Sequence, residues 1–121
     1  MTSELQPPGG GSTEPSNVSS WRELIGEELA RTGETWSDVE TVVFSARRWT
    51  WGTPADDPDP GDWQACLDQP FDAGYGLPRG LPFTMWTRRR VYFPVEYDGS
   101  ESCASVPRHP CPEAVDHISG R

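Results

Sequence analysis

Residues Phe83 to Pro107 read FTMWTRRRVYFPVEYDGSESCASVP, and the rest of the chain is organised around them. Phe83-Thr84-Met85-Trp86-Thr87 joins aromatic and β-branched side chains, a composition suited to a pleated, half-buried strand. Arg88, Arg89 and Arg90 interrupt it, and Val91-Tyr92-Phe93-Pro94-Val95-Glu96-Tyr97 resumes the strand texture. Asp98-Gly99 offers the two positive-φ positions of a type I′ hairpin turn, which makes Ser100 to Val106 the return strand. Pro94 lacks an amide donor, so its strand is expected to be an edge or to carry a bulge there.

Before this stretch, Ser20-Trp21-Arg22-Glu23 forms a capping-box pattern: the serine hydroxyl can accept the Glu23 amide while the Glu23 carboxylate reaches back. Trp21, Leu24, Ile25 and Leu29 recur at helical spacing, with Arg22, Glu23, Glu27 and Arg31 opposite. Gly33 stands where a left-handed C-terminal cap belongs. One amphipathic helix over about 20–32 follows. Ser37-Asp38-Val39-Glu40 repeats the capping pattern and predicts a short helical turn, followed by a strand from Thr41 to Ala46. Trp63 to Phe71 reads as a possible further turn of helix. Phe71 to Pro82 reads as irregular chain anchored by Phe71, Tyr75 and Leu77. The fold class expected is α+β: one N-terminal helix packed on an antiparallel sheet of three or four strands.

Composition bounds the function. The chain has 121 residues, a net charge of −9 and ten positive charges that are all arginine. That length predicts one domain, with 1–19 a flexible Pro/Gly/Ser tail and 20–121 the folded part. Residues 34–72 carry nine carboxylates against two arginines, whereas residues 73–95 carry four arginines and no acid. Such a balance disfavours direct nucleic-acid binding and a membrane-binding basic face. No apolar run approaches the roughly 20 residues of a membrane span, and a cytoplasmic location is the expectation. Three cysteines are an odd count, which predicts free thiols.

WTRRRVYFPVEYDGSESCASVPRHP, with Trp21-Arg22-Glu23-Leu24 and Phe71-Asp72-Ala73-Gly74-Tyr75-Gly76, resembles a set of small proteins of actinobacteria and their phages that carries no established activity. The similarity covers Trp21 to Gly120, and the segment Arg47 to Gln64 departs from it as an insertion. The resemblance implies an accessory product of a phage or mobile element and transfers no functional residues.

Several residue groups could carry chemistry, each beside a plainer reading. Arg88, Arg89 and Arg90 could hold phosphate or a partner's carboxylates, or serve as a charged turn that neutralises the protein's own acids. Arg47, Arg48, Trp49 and Trp51 set guanidiniums beside indoles, the favoured anchors of protein interfaces, although tryptophan also packs cores. Asp56, Asp57, Asp59 and Asp62 form an acidic surface within a loop near 52–62, which could stand in for phosphates before a nucleic-acid-binding partner. Asp57, Asp59 and Asp68 match part of a calcium-loop register, but the glycine is misplaced and the last ligand is not Glu.

Cys103, His109, Cys111 and His117 could ligate zinc, yet their spacing lacks the short C-x2-C knuckle. No nucleophile elbow and no phosphate-cradling glycine loop exists. The helix over about 20–32 and the Ser37 turn resemble the start of a helix-turn-helix, without a basic third helix. The function expected is therefore a small acidic, non-enzymatic protein-binding accessory protein, with no cofactor and no metal. Inhibition of a host nucleic-acid-binding protein is one version. A zinc-stabilised module or small metal-dependent enzyme built on the Cys/His set is the alternative.

Overall fold

The computed structural model describes residues 17–46, 57–74 and 79–118. In chain order these form β1 (Val18–Ser19), α1 (Trp21–Thr32), a single 3-10 turn (Trp36–Asp38), β2 (Val39–Phe44) and α2 (Trp63–Asp68). Then come β3 (Phe71–Asp72), β4 (Phe83–Thr87), β5 (Arg90–Tyr97) and β6 (Ser100–Pro107). The fold is α+β. A four-stranded antiparallel sheet runs β2-β4-β5-β6, and β1 pairs with β3 in a two-stranded ribbon.

The central hairpin forms as its residues dictate. Asp98 and Gly99 take φ of 52° and 86°, and Tyr97 pairs with Ser100 across the turn. Both turn residues occupy the left-handed region that the type I′ geometry demands. Counting back from that closing pair, the alternation of the antiparallel ladder turns the Pro94 nitrogen away from β6. The β4 ladder has stopped by then: its pairs with β5 are Met85–Tyr92 and Trp86–Val91. The proline thus sits where no ladder bond among the described residues is lost, inside a strand that is central at one end and, among the described residues, unpaired on the β4 side at the other.

Helix α1 starts at Ser20, whose hydroxyl accepts the Glu23 amide at 3.3 Å. The capping box is only half realised, because Glu23 instead accepts from the Ser19 hydroxyl at 2.9 Å. At the other end Gly33 has φ 79°; its amide donates to Ala30 O and the Glu34 amide to Leu29 O. This Schellman pattern satisfies the last carbonyls and aims Glu34 back at the sheet.

Two local expectations need correction. The second cap is Thr35, not Ser37: the Thr35 amide donates to Asp38 Oδ2 at 2.8 Å, and β2 accordingly begins at Val39 rather than Thr41. The turn forms two residues earlier because the Asp38 carboxylate reaches the Thr35 amide. The linker-like composition also stops sooner than Ser19, since Val18 and Ser19 pair with Asp72 and Phe71. Backbone pairing, which composition cannot register, holds both short segments.

The core lies between the helices and one face of the sheet. Trp21 is 1 % exposed and packs on Phe71 at 5.0 Å and Phe83 at 4.8 Å, and its indole N–H donates to Leu81 O at 2.9 Å. Each such aromatic pair contributes about 0.5–1.5 kcal/mol beyond its buried area. Ile25, Leu29, Leu67, Met85 and Tyr92 complete this layer. Glu101, itself 6 % exposed, accepts the Arg79 amide at 2.6 Å and the Gly80 amide at 3.1 Å, and so fixes the segment that forms the tryptophan's socket.

Two glycines respond oppositely to a methyl group. A Cβ on Gly80 would lie 2.6 Å from Trp21 Cζ2 and 2.8 Å from Phe71 Cζ, both in packed rings. Gly26, inside α1, has nothing nearer than Trp36 Nε1 at 3.8 Å. Denaturant unfolding is expected to show Gly80→Ala destabilised by about 1–3 kcal/mol. Gly26→Ala should be stabilised by about 0.5–1 kcal/mol.

Candidate functional site

The β4–β5 turn carries the arginine triplet, and the structure separates its members. Thr87 Oγ1 accepts the amides of Arg89 at 3.2 Å and Arg90 at 2.9 Å, which fixes the turn backbone. Arg90 is built in: Nε donates to Ser105 Oγ at 2.9 Å, Nη2 to Ser105 O at 3.2 Å, and both Nη atoms to Glu113 at 3.0 and 3.2 Å. Arg89 is exposed and engages Glu34 Oε2 through Nε alone at 3.4 Å. Arg88 is exposed, with no hydrogen bond or ion pair among the described residues. Two members of the triplet therefore pair with the protein's own acids, as the plainer reading expected, Arg90 in full and Arg89 through Nε alone, while Arg88 and the remaining donors of Arg89 face outward.

These arginines line a cleft of about 530 Å³ closed on its other sides by Thr32, Pro107, His109, Pro110, Cys111 and Glu113. Behind it sits a buried polar cluster. Glu34 is 5 % exposed and accepts from Thr87 Oγ1 at 3.1 Å and from the Tyr92 hydroxyl at 2.5 Å. Burial, then the Glu34 carboxylate, pushes the Tyr92 phenol well above its ordinary pKa, so it stays a donor. Glu28, also buried, accepts from Arg31 at 2.8 Å and from Ser105 Oγ at 2.8 Å. On the cleft wall, the hydrogen bond from Arg90 holds the Glu113 carboxyl below the usual range.

A second surface was not anticipated from the sequence. Register places Thr41 and Val43 of β2, Thr84 and Trp86 of β4, Val91, Phe93 and Val95 of β5, and Ser102, Ala104 and Val106 of β6 on the sheet face away from the helices. None of them joins the core cluster beneath α1 and none is charged, although Ala104 is itself fully buried. Val43 is 52 % exposed, while Trp86, Val91, Phe93, Val95 and Val106 are half-buried. Val91 to Val95 reads as a continuous apolar run rather than an alternating one, the signature of a strand with two apolar faces. That signal was present in the sequence.

The other candidates do not converge. Arg47, Arg48, Trp49, Trp51 and Asp56 lie outside the described residues. Asp57 accepts from Gln69 Nε2 at 2.8 Å, Asp59 accepts the Gly61 amide at 2.8 Å, and Asp62 caps α2 through the Ala65 amide at 3.2 Å. These acids order their own loop, and Asp68 of the calcium register is turned away to Arg22. The three thiols are free: Cys66 and Cys103 are buried and Cys111 is exposed. Burial first, with Asp62, Asp59 and Asp57 adding, raises the Cys66 thiol pKa. Cys103 lies in the core while His117 is exposed, and no three His, Cys, Asp or Glu side chains gather around a point among the described residues. An unpredicted pairing sets Arg22 5.5 Å from the Trp36 ring, beside the exposed Trp63.

No described helix is long and apolar enough to cross a membrane. No protein-family model, curated protein or solved structure matches the chain.

The cluster behind the cleft makes an alkaline prediction. Because the folded-state pKa of Tyr92 is raised, the stability it contributes is fully present below the ordinary phenol value of about 10 and is lost as pH rises beyond it. Tyr92→Phe should cost about 1–3 kcal/mol at neutral pH by removing a donor from Glu34. It should also flatten the alkaline loss, as read by denaturant unfolding at stepped pH.

Proposed function

We propose that this protein is a small non-enzymatic binding module that docks its uncharged sheet face on a partner protein. The observation that carries the reading is that face: ten outward side chains, Trp86 and Phe93 among them, without a single charge in a chain of net charge −9. Interface cores are depleted of charge and anchored by aromatic side chains, whereas an ordinary solvent face of an antiparallel sheet is polar. The occupant inferred is a protein with a matching apolar patch inside a basic surround. An acidic protein is drawn to such a surface over long range, while a second copy of this chain would bring like charge to the contact.

An acid surface that mimics nucleic acid receives less support, because Asp57, Asp59 and Asp62 are turned into loop and helix-capping bonds. In this reading the acids steer and the sheet face grips. A phage or mobile-element accessory product that intercepts a basic host protein fits it.

Wild type and Phe93→Ser, each immobilised, are to be compared for retained proteins. The retained protein is then purified and its affinity measured at low and moderate salt. Expected are a basic partner, a loss of about tenfold or more on Phe93→Ser, equivalent to about 1.4 kcal/mol, and weakening as salt rises. Equal affinity of the variant would sink the proposal. So would light scattering that shows the wild type to be a dimer through this face with nothing else retained.

A further inference from the structure

We propose that the cleft at the β4–β5 turn is a binding site for a phosphate-type dianion, free or carried as a monoester of a small molecule. This site is separate from the docking face and does not depend on it. Arg90 is immobilised by Ser105 and Glu113, and Arg88 has no bond or ion pair among the described residues. Arg89 uses Nε alone, in a 3.4 Å contact, which leaves both of its Nη groups uncommitted among the described residues. Two guanidinium forks therefore project from adjacent positions of one turn, and two forks match a doubly charged oxyanion better than a single carboxylate.

The surroundings keep those forks available. The turn backbone is pinned by Thr87 Oγ1, so little ordering is needed when a ligand arrives. Glu34, the acid that Arg89 touches, already receives Thr87 Oγ1 at 3.1 Å and Tyr92 OH at 2.5 Å. Arg89 can turn to a ligand without leaving that carboxylate bare. Glu113, the acid in the cleft wall, is held by both Nη atoms of Arg90. Neither acid competes freely for Arg88. The exposed imidazole of His109 adds a donor, and Pro107 and Pro110 give rigid apolar walls. At about 530 Å³ the cleft lies within the range of small-molecule sites, with space for more than the bare anion.

The position also fits the charge map. Residues 73–95 hold four arginines and no acid in a chain otherwise dominated by carboxylates, and three of the four line this cleft. If neutralisation of internal acids were the whole role of the triplet, Arg88 would face a carboxylate as Arg90 does.

Isothermal titration of the full chain with inorganic phosphate, and separately with adenosine 5′-monophosphate, tests the site, with adenosine and matched sodium chloride as controls. Saturable binding of phosphate, free or as the monoester, is expected. Arg88→Ser should weaken it by about tenfold or more, equivalent to about 1.4 kcal/mol. Arg22→Gln, which removes one positive charge at a distance from the cleft, should leave it unchanged. Amide chemical shifts are expected to move at residues 87–90 and 107–113. Binding of the monophosphate, with or without the free anion, assigns the site to esters, and binding of inorganic phosphate alone assigns it to the free anion. The proposal is overturned if neither phosphate saturates, if Arg88→Ser binds as wild type does, if Arg22→Gln loses as much, or if the shifts fall elsewhere.

Discussion

The structure turns on the burial of one indole. Trp21 is the first residue of α1, yet its ring reaches Phe71 before β4 and Phe83 within it, and its N–H is satisfied by Leu81 O. A buried tryptophan contributes strongly only if its polar atom finds a partner. That requirement fixes where the segment before β4 must run. Gly80 lacks a side chain at the point where a methyl group would enter the Trp21 and Phe71 rings, and the Glu101 carboxylate holds the Arg79 and Gly80 amides in place. Helix, loop and sheet are joined through this one socket.

Once α1 is pinned at its start, its end is fixed as well, and the far end of the sheet becomes the polar one. The Schellman turn at Gly33 delivers Glu34 to Thr87 and Tyr92, and Glu28, one turn from the end of the helix, meets Ser105. Buried carboxylates are tolerated when each has charge-assisted or hydroxyl donors, and Glu28 and Glu34 both do. Their demand orders the β4–β5 turn, and the turn sets Arg88 and Arg89 at the mouth of the cleft. A structural necessity inside the molecule thereby presents two forks outside it.

The two faces of the sheet follow different rules. The inner one has a helix over it and carries the buried polar cluster at one end. The outer one has side chains without charge and no described helix over it. A protein this acidic could have placed carboxylates along β4 and β5 on that side at little cost, since alternation leaves those positions open. Their absence there, against carboxylates elsewhere that order loops and cap helices, divides the described surface into a charged part and an uncharged one.

Much of this was legible in the residues alone. Helix α1, its Ser20 and Gly33 caps and the Asp98-Gly99 turn follow from local chemistry, because each depends on groups only a few residues apart. For Pro94 the residues predict an edge or a bulge, yet β5 is an interior strand in even register, and the proline is tolerated because the described β4 ladder ends before it. The pairing of Val18-Ser19 with Phe71-Asp72 was not legible, since two-residue strands carry no periodic signal. Nor could spacing say which arginine of three is inward: Arg90 is tied down because β6 brings Ser105 opposite and the chain after it brings Glu113. The uncharged outer face was half visible in the apolar run from Val91 to Val95, but strand order and register were needed to bring Val43, Trp86 and Val106 beside it. Sequence determined the first helix and the central hairpin, through contacts within one turn of the backbone; tertiary structure decided the short paired segments and completed the sites, because each is assembled across strands whose pairing is set by the buried tryptophan and the carboxylates beneath the helix.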